Sequence, residues 1–476
     1  MKLKASNALA ICILIAEMLY VWIYFSVIQY NSTEKILAET GQAAVICLIV
    51  TTVSIYYVTQ KVGFFFCFIV LSYLFAFGQS ILISFGFKLP NSPFSISYSG
   101  FTTYDIKNSA MLGMLAICTV AIGFCMVIQK KVETIQPPPV FRDEKNLCQI
   151  GWVLLIISII PTFYLLFVDI AGTFSSGYGS TLNAYIGIEK ICSLISGFFT
   201  SGLLIIFCFE RKRPSRVCLY VCVSLYCLLQ IAGGSRISVF RLGIVFFVIT
   251  NLYFKTINKR KALLIFLACL AGTFVFSIVS SIRNYIYNTT DLSLFIKEIT
   301  INVWENNFLV ASLREMGNTQ IINTLVYSKC PSEVGFQYGL SFIKMLWAIL
   351  PNLIGSAYTG HVGVDITFSA LYTKTSSGLG ASYISEGYWN FGWLSLIYFI
   401  LFGYILGKVE MSFNKACNSK NIKATTMFLL VYSMYYMIFM VRSELIGFGR
   451  AFVFYAIIPV LLSKVRIGDR KGINFN

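Results

Sequence analysis

From "ALAICILIAEMLYVWIYFSV" near the start to "AFVFYAIIPVLLS" near the end, apolar runs of membrane-crossing length recur along the whole chain. A helix needs ~20 predominantly apolar residues to cross the hydrocarbon core. No water is available there to satisfy backbone N–H and C=O groups, so only helices and closed barrels can span it. Barrel strands alternate in polarity over ~10 residues, and these runs do not alternate. The chain is therefore read as an all-α polytopic membrane protein. Composition agrees: of 476 residues 57% are hydrophobic and 12% charged, and the mean hydropathy is +0.76.

Apolar runs set against charged breaks predict twelve spans, at 7–29, 42–59, 63–86, 108–128, 148–168, 185–208, 217–232, 237–254, 262–282, 391–407, 425–441 and 451–463. The first follows "MKLK" but is too long for a signal-peptide core and lacks a clear small-residue cleavage site, so it counts as a span. Alternating the sides from a cytoplasmic N-terminus gathers 23 of the 37 Lys and Arg on one face, with only 6 of the 20 acids. The whole formal excess of +17 thus falls on the predicted cytoplasmic side, as the positive-inside rule requires. Both termini are predicted there. Short basic clusters dispersed among loops describe topology better than a nucleic-acid groove.

The spans divide unevenly. A four-span unit (1–132) precedes a cytoplasmic linker (133–147) containing "PPP", and spans five to nine occupy 148–282. A long segment on the predicted outer side (283–390) separates them from the last three spans and the cytoplasmic C-terminus (391–476). Within it 341–358 is apolar, short and broken by Pro351, which reads as a helix at the interface with Trp347 at headgroup depth. The segment holds one cysteine, Cys330, and so no internal disulfide framework. No CxxC or His/Cys cluster suggests a metal, and no internal repeat suggests a secondary transporter.

Ionisable groups at membrane depth are costly and so are functional candidates. Arg236 sits in the turn "GGSR", and Arg241 lies more than one helical turn further into a span. Arg283 follows the ninth span, Glu386, Tyr388 and Asn390 open the tenth, and "VRSELIGFGR" supplies Arg442, Glu444 and Arg450. Guanidinium groups are permanently charged forks that fit phosphate oxygens and tolerate partial burial. The alternative is that they snorkel to lipid phosphates or pair with acids. His361, the single histidine, is a candidate base in the outer segment. Glu17, in the first span, has no role that the sequence reveals.

Three patterns, "GGSR", "SEGYWNFGWLSLIYFILFGYILG" and "VRSELIGF", together with the late long loop, resemble the bacterial O-antigen polysaccharide polymerases of the Wzy type. Motif-level likeness covers about forty residues. The resemblance implies an inner-membrane enzyme with a fold similar to lipid-using (GT-C-like) glycosyltransferases. Its substrates would be undecaprenyl-pyrophosphate-linked oligosaccharides on the periplasmic side, with a chain-length regulator and a flippase as pathway partners. The growing glycan would pass from its carrier to the non-reducing end of a new repeat unit. On that reading Arg236, Arg241, Arg283, Arg442 and Arg450 bind pyrophosphate, and Glu386, with Glu444 or His361 in reserve, acts as the base. Tyr388, Trp389 and Asn390 meet sugar rings. No DxD motif is present, so arginine rather than a metal ion is expected to face the pyrophosphate, and no cofactor is expected. An O-antigen ligase and a lipid-linked oligosaccharide flippase remain alternatives, and Glu386 could instead cap its helix.

Overall fold

The structure is a computed structural model that describes residues 4–28, 32–128, 141, 143–176, 187–233, 236–254, 308–349, 363–372, 378–418 and 422–464. Among these every regular element is a helix. Eight come first: α1 (Ala5–Val27), α2 (Thr33–Thr59), α3 (Phe64–Ser84), α4 (Thr103–Val127), α5 (Glu144–Ser176), α6 (Ile188–Phe209), α7 (Arg213–Ala232) and α8 (Arg236–Leu252). Four short ones follow in the long segment: α9 (Phe308–Met316), α10 (Thr319–Lys329), α11 (Leu340–Trp347) and α12 (Val364–Ser369). The chain closes with α13 (Tyr383–Phe391), α14 (Ser395–Cys417), α15 (Ala424–Met437) and α16 (Ile446–Lys464), the last interrupted by a π-helical turn at Val453–Ile457.

Ten stretches among the described residues are long and apolar enough to cross a membrane, and Ser238–Leu252 is apolar but shorter. The predicted ninth span, 262–282, lies outside the described residues. The tenth differs in form from its prediction. The apolar stretch runs from Tyr383 to Cys417 and is broken at Gly392, whose φ of +55° favours glycine. Glu386 therefore sits in a separate buried helix, not at the lip of a span.

Helices in an apolar medium gain little from hydrophobicity, so close backbone approach through small residues holds them together. α4 and α14 show this directly: a Cβ on Gly403 would lie 1.9 Å from the Val120 carbonyl oxygen, and one on Gly123 2.0 Å from that of Ile400. Glu17 now has partners. Buried between α1, α2 and α3, it accepts hydrogen bonds from the Thr51 hydroxyl (2.8 Å) and the Tyr73 hydroxyl (3.2 Å).

The described part of the long segment is folded, not draped. α9 packs on α3, and α10 lies buried from Thr319 to Val326 against α3 and α4. Polar pairs fix the register: Gln320 Nε2 donates to Ser80 Oγ (2.7 Å), and Ser109 and Thr324 share a hydroxyl hydrogen bond of 2.9 Å. A second apolar cluster, separate from the main bundle core, gathers Leu82, Leu112, Ile322, Leu325, Phe368 and Trp389 at this end. α11 exposes Leu340, Ile343 and Leu346 along one side and packs its other side on α16. The Trp347 side chain and residues 350–358 lie outside the described set.

Because backbone atoms occupy the space a Cβ would need, Gly403→Val should overpack the α4–α14 contact and cost ~1–3 kcal/mol or more. A lowered melting temperature of the purified protein in detergent would show it; an unchanged one would mean that the helices do not approach as closely as described.

Candidate functional site

Around α15's C-terminal end the chain brings together groups that are far apart in sequence. α15 continues as a 3₁₀ turn, Ile438–Arg442, and hands over to α16 through Ser443 to Leu445. Arg241, on α8, points at this region. Its guanidinium carbon lies 5.0 Å from the ring centre of Tyr435 and 4.8 Å from that of Phe439. Those rings stand four residues apart, so one helix face presents both. A cation over π faces is stabilised when desolvated, but the rings accept no conventional hydrogen bond, and the buried Nε of Arg241 has no partner among the described residues.

Tyr436 follows Tyr435 on the same helix. Its side chain is within Coulombic reach of Arg241, Glu444 and Arg450, and its hydroxyl would stand 2.4 Å from a Cβ at Gly447. Arg450 Nε donates to the Ala348 carbonyl at 2.7 Å, tying α16 to the end of α11. Arg442 makes no hydrogen bond or ion pair among the described residues. It runs past Gly380, where an added Cβ would come 3.8 Å from its Cγ and Nε.

The two carboxylates have different surroundings. Glu386 is fully buried; its Oε1 accepts from Ser341 Oγ at 3.1 Å and its Oε2 from the Leu445 N–H at 2.8 Å. It does not cap its own helix, because Ser382 and Ser385 form a reciprocal capping box there. Asn390 completes the link: Nδ2 donates to Ser341 Oγ (2.8 Å) and Oδ1 accepts from the Gly339 N–H (3.0 Å).

Glu444 accepts from the Val364 N–H at 2.5 Å through Oε2, while Oε1 lies over Gly363, where a Cβ would come within 2.1 Å. A side chain at 363 would push that carboxylate aside. No hydrogen bond reaches Oε1 among the described residues. Burial pushes the Glu444 carboxyl up to about 7; the Val364 N–H opposes this and the nearby Asp365 adds to it. Asp365 Oδ1 accepts from Ser369 Oγ (2.7 Å) and from the Gly380 N–H (2.8 Å), holding the strand of chain beside Arg442 in place.

Of the residues that the sequence singles out, the described structure gathers Arg241, Arg442, Arg450, Glu386 and Glu444. Arg283 and His361 lie outside the described residues, as does the side chain of Arg236, the first residue of α8. Tyr388, Trp389 and Asn390 are buried and face protein: Trp389 packs edge-on against Phe368 at 5.5 Å. The sequence reading missed Tyr436, Tyr435, Phe439, Ser341 and Gly363. The tyrosine-rich run "YSMYYMIF" was a signal for the first three; nothing local marked the other two. Among the described residues no group of three or more His, Cys, Asp or Glu could hold a metal ion.

Compared with known proteins, the chain matches the model of the family described as O-antigen polysaccharide polymerase Wzy over residues 9–465. No curated protein and no solved structure matches it.

With its folded-state pKa raised above the ordinary carboxyl value of 4.5, Glu444 keeps its proton in the folded chain over a range where the unfolded chain has lost it. Its contribution to stability is full below about pH 4.5 and disappears as the pH rises through about 7. Glu444→Gln should remove this term, so that thermal stability measured from pH 5 to 8 flattens by ~1–3 kcal/mol. An equally sloped profile in the variant would assign the dependence to another group.

Proposed function

The chain belongs to the O-antigen polysaccharide polymerase Wzy family, a polymerase acting on lipid-linked oligosaccharide repeat units, and from that premise we propose that its chemistry takes place around Tyr436. The donor is a glycan on undecaprenyl pyrophosphate, held on the periplasmic side of the inner membrane with both protein termini in the cytoplasm. The acceptor is the non-reducing end of a second carrier-linked unit.

The acceptor hydroxyl oxygen attacks the anomeric carbon of the donor. As that C–O bond forms, the bond from the anomeric carbon to pyrophosphate breaks, and the carrier pyrophosphate leaves with the electron pair. Negative charge grows on the leaving group, and fixed cations lower the barrier because they need no reorganisation. Arg241 and Arg442 fit this part, since neither guanidinium has an ion pair among the described residues; Arg236, Arg283 and Arg450 are further candidates. The hydroxyl proton goes to a carboxylate. Glu444 suits that step better than Glu386: one of its oxygens has no hydrogen bond, and a pKa of about 7 is near the working pH. Glu386, with both oxygens engaged, becomes a positioning residue that holds the Glu444 turn. His361 is the remaining candidate base.

The observation that supports this reading is the Arg241 guanidinium held over Tyr435 and over Phe439, the latter on the turn that carries Arg442 and leads directly to Glu444. An O-antigen ligase would use comparable groups with a lipid A acceptor, so the product separates the two. Cells without the gene should make lipopolysaccharide capped by a single repeat unit, whereas a ligase or flippase would leave none. Arg241→Ala and Arg442→Ala should each reduce polymer by ~100-fold or more, and Glu444→Gln by a similar factor, while Glu386→Gln loses less than ~10-fold. Full ladders from both arginine variants would remove the pyrophosphate assignment, and the reverse order of the two glutamines would return the base to Glu386.

A further inference from the structure

On the other side of α13 from Glu386 lies a patch of rings that the reaction does not use. Tyr388, two residues after Glu386, packs at 5.2 Å on Tyr327 of α10, at 6.0 Å on Phe336 and at 6.4 Å on Trp393. Phe336 carries Tyr338 at 6.3 Å, and Tyr104, at the start of α4, lies within electrostatic reach of Tyr327. The inner rings are seated on the second apolar cluster. The outer three are open: Tyr338 is 80% exposed, Tyr104 65% and Trp393 40%.

Tyr338 is also strained. Its φ is +49°, a region that bulky side chains avoid. Three hydrogen bonds hold the turn there: the Leu340 N–H donates to the Gln337 carbonyl at 2.8 Å and closes it, the Tyr338 N–H donates to the Asn390 carbonyl at 2.9 Å and the Gly339 N–H to Asn390 Oδ1 at 3.0 Å. Gly339, next in the chain, is itself left-handed at φ +87°, so the turn asks this conformation of two successive residues and only the second is a glycine. Apart from its edge contact with Phe336 the Tyr338 ring is open, and strain of this kind collects at ligand sites.

We propose that Tyr104, Tyr338 and Trp393, backed by Tyr327, Tyr388 and Phe336, form a carbohydrate-docking platform that grips sugar residues of the glycan away from the reacting bond. The proposal rests on the polymerase reading and adds a second binding surface to it. Aromatic rings offer flat apolar faces to the C–H faces of pyranose rings, and the tyrosine hydroxyls and indole N–H offer hydrogen bonds to sugar hydroxyls. Tyrosine and tryptophan at a membrane–water boundary also occur as lipid anchors. Anchors need neither backbone strain nor one contiguous ring cluster drawn from four segments, and the platform is joined to the arginine site through a single helix, α13.

The test uses the full-length protein in detergent and a lipid-free oligosaccharide of one or more repeat units as probe, with binding read by calorimetry. Tyr338→Gly is the central variant, because it removes the ring while relieving the strain, so its folding is not at risk. Tyr338→Gly, Tyr104→Ala and Trp393→Ala should each weaken binding at least tenfold, and Tyr338→Phe should retain most of it. In a polymerisation assay the same variants should raise KM for the carrier-linked unit and shorten the product, with kcat largely kept. Arg241→Ala should bind the oligosaccharide normally while failing to polymerise, so that loss of the arginine reading and loss of this one remain separable. Undiminished binding in the three ring-deleting variants would overturn the platform and leave these rings as a lipid anchor.

Discussion

A carboxyl group with no access to water must find hydrogen-bond donors or cost several kcal/mol, and Glu386 meets that requirement by joining three segments. Ser341 comes from α11, the Leu445 N–H from the turn before α16, and Glu386 itself from the short helix ahead of α14. The turn that it clamps contains Glu444, and the helix it touches at Ser341 ends near Ala348, where Arg450 is anchored. Glu386 thus sets where the other charged groups of this region stand. Replacing it by an apolar residue would leave both donors unpaired, a larger penalty than losing a net hydrogen bond.

The charged side chains fixed around this clamp are each restrained in a different way. Arg241 is held by ring faces, which constrain the guanidinium while its Nε has no hydrogen-bond partner among the described residues. Arg450 Nε donates to the Ala348 carbonyl. Glu444 lies over a glycine and caps a turn through Oε2. Arg241 and Glu444 are thereby positioned without an ion pair among the described residues, which is what an environment prepared for a developing anion requires.

The long segment supplies the framework. Its buried helix α10 is stitched to α3 and α4 by hydroxyl and amide pairs, and a second apolar cluster forms above the bundle. α13 lies between this cluster and the charged group, so rings on one side and carboxylates on the other are fixed by the same nine residues.

Much of the architecture was legible in the sequence, because a helix of ~20 apolar residues is dictated locally by the absence of water in the bilayer. Family membership and the candidate residues Arg241, Arg442, Glu386 and Glu444 were also readable, as charges placed where charge is expensive. Their grouping was not. Ser341 and Gly363 look ordinary in the sequence, and the value of each depends on which carboxylate lies opposite. The separate helix that carries Glu386 ahead of the Gly392 break was not readable, and Tyr388 and Trp389 look like open ring faces until packing buries them. Hydropathy sets which segments leave water; only contacts between segments remote in the chain decide which buried polar atoms find partners and which, like the Nε of Arg241, have none among the described residues.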